Sequence, residues 1–169
     1  MYCHSGDSSY RLKENKKMKS VYNYVVRPEG GRYNNTKKVD DKNLILNTEI
    51  FNHQYINRKA TVISTPIIGS TDIEVGNDVI VHHNVFRRWH NIRGEEKNSK
   101  SYFNENTYLI TEDQIFLYKK FWEWKAVPGY CFVKPIKSFD KFNIDQEQPL
   151  MGIIEYSDGV YSKGDLVGF

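Results

Sequence analysis

Three histidines and one cysteine could bind a metal ion if the fold brought them together. His82 and His83 are adjacent in a segment that we predict as a strand, and His90 and Cys131 lie further along the chain. A zinc site needs several ligands that converge on one point. Neighbouring residues of a strand point to opposite faces, so one ion could hardly bind both His82 and His83. We therefore expect no metal site and no cofactor.

The sequence "RRWH", residues 87–90, places two guanidinium groups beside an indole. Such a group could stack on a base or bind a phosphate. The alternative is a solvated loop with one aromatic side chain packed on the fold. Residues 1–20 carry five Lys or Arg against two Asp or Glu and account for the whole net charge of +3. Because nucleic-acid binders concentrate positive charge on a folded face, we expect no nucleic-acid partner.

Enzyme signatures are absent from the sequence, which has no Gly-rich dinucleotide or phosphate loop, no GxSxG and no HExxH. We therefore expect a binding function and no catalysis. No apolar run approaches the roughly 18 residues that would span a membrane, so no membrane partner is expected. A polar N-terminus and two distant cysteines, Cys3 and Cys131, favour a cytoplasmic protein with free thiols.

Two apolar clusters interrupt the polar, Asn-rich segment of residues 29–58. These are the triplet Leu44-Ile45-Leu46 and the pair Ile50-Phe51. A segment of this length without a sustained period is uncommon inside a compact domain and is usually functional or disordered. The apolar residues are either an exposed handle for another protein or a short strand that packs on its own sheet.

The elements around this segment are predicted to be strands. Tyr, Phe, Val, Ile and Thr are plentiful and Ala is rare, which favours an all-β fold. Turn residues separate the apolar runs, and residues 87–101 are predicted as a loop. The strand segments are residues 20–28, 59–69, 73–86 with a turn at Gly76-Asn77, 108–110, 115–118 and 129–136. This order predicts a small, mostly antiparallel β-barrel.

The end of the chain resembles its beginning. Residues 62–81 and 153–169 each contain an apolar strand, a polar turn, a Gly and an Asp before a further apolar strand. "YNYVVRP" and "YCFVKPI" match as opening strands, which indicates an internal repeat. Chance similarity between β segments is the alternative. We predict a disordered tail at 1–17 with Met18 as a candidate natural start, a barrel at 18–120, a linker at 121–128 and a partial second module at 129–169.

The order of these segments resembles the GroES-like (chaperonin-10) co-chaperonins, especially the divergent versions of tailed bacteriophages. "YNYVVRP" is similar to the family's opening strand and "ATVISTP" to the strand after its mobile loop. "YLITEDQIFLYK" is similar to its closing strands. The matching motif positions are Val75, Gly76, Asp78, Val81, Glu112, Asp113 and Ile115. Asn43 precedes the triplet where the family has Gly, and "RRWHNIRGEEKNSKSY" occupies the place of the family's dome hairpin.

The resemblance implies a GroES-like antiparallel β-barrel with a long mobile loop, followed by a partial second GroES-like module. It implies a phage-encoded co-chaperonin in the host cytoplasm that caps a GroEL-type chaperonin and assists protein folding. The expected subunit forms a homo-oligomeric ring, and ATP hydrolysis belongs to the partner. The expected chaperonin-binding residues are Leu44, Ile45, Leu46, Ile50 and Phe51. The alternative function is a virion structural or scaffold protein that uses the barrel as an assembly module.

Overall fold

The computed structural model describes residues 18–69, 72–138 and 147–169, and the predicted tail at 1–17 lies outside them. The described residues form β-strands and three single-turn 3-10 helices, so the predicted all-β class is confirmed. The strands are β1 (Tyr24–Pro28), β2 (Thr36–Val39), β3 (Lys42–Ile45), β4 (Lys59–Ser64), β5 (Asp78–Val81), β6 (Arg88–His90), β7 (Glu96–Asn98), β8 (Tyr102–Asn104), β9 (Thr107–Ile110), β10 (Ile115–Lys120), β11 (Glu123–Ala126), β12 (Cys131–Lys137), β13 (Glu147–Ser157) and β14 (Leu166–Gly168). The 3-10 helices are His53–Tyr55, His83–Val85 and Glu112–Gln114.

Seven strands form the main sheet in the order β11-β10-β5-β4-β1-β9-β8, and every neighbouring pair is antiparallel. In the described residues no hydrogen-bonded pairing joins the two outer strands, β11 and β8. The sheet is therefore open, and the closed barrel that the sequence predicts is not confirmed. Three smaller antiparallel sheets pair β12-β13-β14, β2-β3 and β6-β7.

The core lies against the inner face of the main sheet. Alternate residues of β4 are buried, as expected for a strand with one face on a core. Phe86 follows the 3-10 helix at the end of β5 and packs edge to face on Tyr108, with ring centroids 4.7 Å apart. The buried hydrophobic cluster contains Tyr24, Val26, Ile56, Ala60, Val62, Ile73, Val79, Val81, Val85, Phe86, Tyr108, Ile110, Ile115, Tyr118 and Val127.

Two segments that the sequence predicts as loops contain β-hairpins. β2 and β3 pair within the long segment after β1, and β6 and β7 pair within residues 87–101. Both hairpins are short and contain many polar residues, so the apolar alternation that marks a core strand is missing from them. β11 lies within the segment predicted as a linker, where it pairs with β10 and extends the main sheet.

No helix in the described ranges is long and apolar enough to cross a membrane.

The β12-β13-β14 sheet has the same strand order as β1-β4-β5 in the main sheet, with the same registers. In both units a β-bulge or irregularity precedes the first of three matching pairs. The paired residues are Val26–Val62, Arg27–Thr61 and Pro28–Ala60 in the first unit, and Val133–Ile154, Lys134–Ile153 and Pro135–Gly152 in the second. The shared register supports a repeat more strongly than the sequence similarity, because a one-residue slip would turn every side chain to the other face.

The turn that leads into β5 has a specific hydrogen-bond pattern. The Gly76 amide donates to the Val62 carbonyl at 2.8 Å, and the Val62 amide donates to the Asn77 carbonyl at 2.9 Å. The Asn77 side-chain oxygen accepts from the Glu74 amide at 2.8 Å. Gly76 has a φ of 93°, which an L side chain rarely adopts. A short polar side chain after a glycine therefore closes this turn.

The turn that leads into β14 repeats this pattern bond for bond. The Gly164 amide donates to the Ile154 carbonyl at 2.8 Å, and the Ile154 amide donates to the Asp165 carbonyl at 2.9 Å. The Asp165 carboxylate accepts from the Ser162 amide at 3.0 Å, and Gly164 has a φ of 98°. Asp and Asn cap the same turn in the two units because both offer an oxygen two bonds from Cβ.

Gly152 provides a test of the packing in the second unit. A Cβ at this position would overlap the Val133 side chain and lie 2.8 Å from the Lys134 carbonyl oxygen. We expect Gly152→Ala to lower the free energy of unfolding by about 1–3 kcal/mol, the usual cost of overpacking. Gly168→Ala is the matched control, because its Cβ would meet nothing closer than the Leu150 carbonyl at 3.6 Å. Urea denaturation measures both, and equal stabilities would contradict the close β12-β13 approach.

Candidate functional site: the apolar hairpin

Residues 36–46, which we call the apolar hairpin, form a two-stranded ribbon of β2 and β3. Four residue pairs hold it, from Thr36–Ile45 to Val39–Lys42. Asp40 lies at the tip with a φ of 51°, a conformation that Asp tolerates better than most residues. The hairpin explains how a polar segment can hold apolar side chains in fixed positions.

The triplet is exposed. Leu44 is 54% exposed, Ile45 is 61% exposed, and Leu46 and Val39 are also exposed. Leu44 and Ile45 are adjacent in β3 and therefore point to opposite faces of the ribbon. Neither face of the apolar hairpin packs these side chains into the core, in contrast to the interpretation of the triplet as a core strand.

The structure brings only part of the predicted site together. Ile45 and Ile50 line one cleft of about 260 Å³ beside Tyr33 and Arg88. Phe51 lies elsewhere, with its ring 6.1 Å from the His90 ring. The five predicted residues therefore form a hairpin with one flanking side chain, Ile50, and a separate aromatic, Phe51.

Asn57 anchors the base of this segment. Its side chain is buried, and its Nδ2 donates to the carbonyls of Glu29 and Gly31, each at 2.8 Å. Its Oδ1 accepts from the Lys59 amide at 2.9 Å. The residues at both ends of the long segment are thus joined by one amide group. Asn57 cannot be recognised from the sequence, because one Asn in an Asn-rich segment carries no distinguishing signal.

Tyr33 makes a second connection at the base. Its hydroxyl donates to the Ile50 carbonyl at 3.0 Å and accepts from the Arg88 amide at 3.0 Å. The Arg88 guanidinium lies over the Tyr33 ring at 5.0 Å from the centroid. The segment that carries the apolar hairpin is therefore joined to β6 as well as to β4.

Arg32 is a buried cation that no sequence pattern distinguishes from the other arginines. Only 8% of it is exposed, and it donates to the Phe86 carbonyl at 3.3 Å and to Asn98 Oδ1 at 2.8 Å. The guanidinium also lies over the Tyr102 ring at 5.1 Å. Burial raises the pKa of the Tyr108 hydroxyl near it to about 12, so that hydroxyl stays neutral. These contacts hold the β6-β7 hairpin against the core.

The histidines are arranged differently from the prediction. β5 ends at Val81, and His82 caps the following 3-10 helix, with its Nδ1 accepting from the Asn84 amide at 3.1 Å. The His82 and His83 rings lie 4.2 Å apart, and His53 packs on His83 at 4.7 Å. The expectation that His82 and His83 face opposite sides was therefore wrong, because the strand ends before them. No group of three or more His, Cys, Asp or Glu within the described ranges is placed to hold a metal ion.

Comparison with known proteins adds no identification. No family model matches the chain, and no match is found among curated proteins or solved structures. The resemblance to GroES-like co-chaperonins therefore stays a prediction from the sequence.

We expect Asn57→Ala to lower the free energy of unfolding by about 2–4 kcal/mol. The change removes three hydrogen bonds that a buried side chain makes, and each is worth about 0.5–1.5 kcal/mol. Asn43→Ala is the control, since Asn43 is exposed in β3. Hydrogen exchange of the Lys59 amide should accelerate in Asn57→Ala alone. Unchanged exchange would mean that Asn57 does not hold the base.

We expect the stability to fall as the pH drops from about 6.5 to about 4. Burial, together with the nearby His82, His53, Arg58 and Arg87, lowers the pKa of His83 from 6.5 to about 4. Between these two pH values His83 is protonated in the unfolded chain and neutral in the folded protein, so acid favours unfolding.

Thermal melting at pH 7, 5.5 and 4 measures this effect. His83→Gln should flatten the pH dependence, whereas the exposed His90→Gln should leave it as in the parent protein. Parallel curves for the parent and His83→Gln would assign the acid sensitivity to other groups.

Proposed function

We propose that this protein is a co-chaperonin that binds a GroEL-type chaperonin through the apolar hairpin and assists protein folding. The observation that carries the proposal is the exposure of Leu44, Ile45 and Leu46 on a hairpin whose flanking segment is anchored by the buried side chain of Asn57. The sequence resemblance supports it, because the triplet occupies the position of the family's chaperonin-binding loop. The protein then acts by binding alone, and the partner hydrolyses ATP.

The energetics favour a hairpin over an unstructured loop as the handle. Burying a Leu or Ile side chain contributes about 1.5–3 kcal/mol. Ordering a loop costs about 1–2 kcal/mol for each residue that becomes fixed. The β2-β3 pairing lowers that cost because Leu44 and Ile45 are already held in β3, and the Leu46 amide donates to the Asn35 carbonyl, when they meet the partner.

A ring of identical subunits would strengthen this binding. One hairpin offers few apolar side chains, so a single contact is weak. Several hairpins on a homo-oligomeric ring would bind together, since each later contact becomes intramolecular. The proposal therefore includes a ring, with one apolar hairpin from each copy.

We expect Leu44→Ser combined with Ile45→Ser to abolish capture by a host GroEL-type chaperonin in the presence of ATP. The melting temperature should change little, because both side chains are exposed. A pull-down with purified chaperonin, with and without ATP, measures the binding.

Ile92→Ser is the matched control, because Ile92 is a fully exposed apolar residue in the turn between β6 and β7. It should bind as the parent protein does. Loss of folding in the double variant would show that the triplet supports the fold. Stable, chaperonin-independent assemblies that survive the double substitution would instead favour the virion or scaffold function.

A further inference from the structure

A cleft of about 540 Å³ lies where β6, the residues after β7 and the 3-10 helix before β10 meet. We call it the arginine–tryptophan cleft. Two aromatic rings, two cations and two amides contribute to its lining: Phe51, Trp89, Arg87, Lys100, Asn84 and Gln114. In the described part of the chain no Asp or Glu lines it.

The local backbone separates the side chains of the "RRW" sequence. Arg87 and Trp89 both line the cleft, as expected for residues two apart in an extended segment. Arg88 points the other way, where its Nη1 lies 3.0 Å from Glu96 Oε1 and its guanidinium covers Tyr33. Arg88 is therefore a structural cation, while Arg87 and Trp89 are available to a ligand.

No carboxylate of the described residues pairs with the cations of the cleft. Within residues 18–69, 72–138 and 147–169, neither Arg87 nor Lys100 takes part in an ion pair. The Nε of Arg87 is buried and has no hydrogen-bond acceptor. A buried N–H without an acceptor costs free energy, and an anion in the cleft would remove that cost.

One further cation lies near the cleft. Arg58 and Arg87 are both close enough to His83 to help lower its pKa. Arg58 therefore adds a third cation to the two, Arg87 and Lys100, that line the cleft. Like charges gathered in this way attract an anionic ligand.

We propose that the arginine–tryptophan cleft binds a nucleoside phosphate, either as a free nucleotide or as one unit of a single strand. The base stacks on Trp89 or Phe51, since aromatic rings accept any base on their faces. Arg87 and Lys100 bind the phosphate. The Gln114 amide oxygen accepts from the Thr111 amide and faces Ser101, so its NH₂ group remains to donate to a base edge.

This site differs from the expectation that the chain has no nucleic-acid partner. That expectation rested on the charge of the whole folded body, which is balanced. The cleft brings cations and aromatic rings together at one place. A ligand responds to this local charge more than to the net charge of the protein.

The test is a calorimetric titration of the full chain with adenosine 5′-monophosphate, adenosine, inorganic phosphate and an eight-nucleotide single-stranded oligothymidylate. We expect the monophosphate to bind at least tenfold more tightly than adenosine or inorganic phosphate. Tighter binding of the oligonucleotide than of the monophosphate assigns the site to a nucleic-acid strand, and the reverse order assigns it to a free nucleotide. The proposal is overturned if neither the monophosphate nor the oligonucleotide binds. It is also overturned if the monophosphate and inorganic phosphate bind equally tightly.

Substitutions locate the site. Arg87→Gln and Trp89→Leu should each weaken binding of the better ligand at least tenfold, and Lys100→Gln, at an exposed position, should weaken it without affecting the fold. Arg93→Gln is the control, because Arg93 is exposed in the turn between β6 and β7 and does not line the cleft. Unchanged affinity in Lys100→Gln and Arg87→Gln overturns the assignment. Chaperonin capture should persist in Arg87→Gln, so failure of this site and failure of the proposed function can be told apart.

Discussion

The buried side-chain amide of Asn57 joins the two ends of the long segment between two neighbouring strands of the main sheet. β1 and β4 pair directly, yet residues 29–58 lie between them in the chain. Closing a loop of this length costs chain entropy, which contacts at its two ends must offset. Asn57 supplies two donors to the carbonyls at its start and one acceptor to the first amide of β4. The side chain therefore fixes the two ends of the segment that carries the apolar hairpin beside the β1-β4 pair.

The β1-β4-β5 and β12-β13-β14 units have the same strand order, in separate sheets, and differ in what they insert. The first carries thirty residues between β1 and β4, whereas only nine separate β12 from β13. The paired position is Ala60 in the first unit and Gly152 in the second, where a Cβ would overlap the Val133 side chain. The hydrogen bonds of the repeated turn are local, and a divergent sequence can keep them with one Gly and one Asn or Asp. The insertion is not constrained in this way, which is why it can acquire a binding role.

Local chemistry decided which elements the sequence could predict. The turn at Gly76-Asn77 was predicted because its two residues are sufficient to form it, and β9 and β10 were predicted as apolar runs separated by turn residues. The β6-β7 hairpin was missed because long-range contacts hold it, chiefly those of Arg32, whose partners are distant in the sequence. The cluster of histidines was missed for a related reason. Where β5 ends depends on its pairing with β10, which the residues around His82 do not reveal. The exposed triplet was recognised because apolar residues in a polar segment need no tertiary information to stand out.

An exposed apolar ribbon with two open edges is also a hazard, because unpaired backbone groups invite pairing with other chains. The apolar hairpin counters this with charge. Lys37 lies opposite Leu44, Lys42 lies opposite Val39, and Asp40 and Asp41 form the tip. The lysine stems can cover the neighbouring apolar side chains while their charged ends stay in water. Charged side chains on both strands and at the tip oppose edge-to-edge pairing of two copies, because such pairing would strip water from them. A partner with an apolar groove can contact the triplet and leave these charged ends in water, so the same residues that protect the edges also restrict what the hairpin can bind.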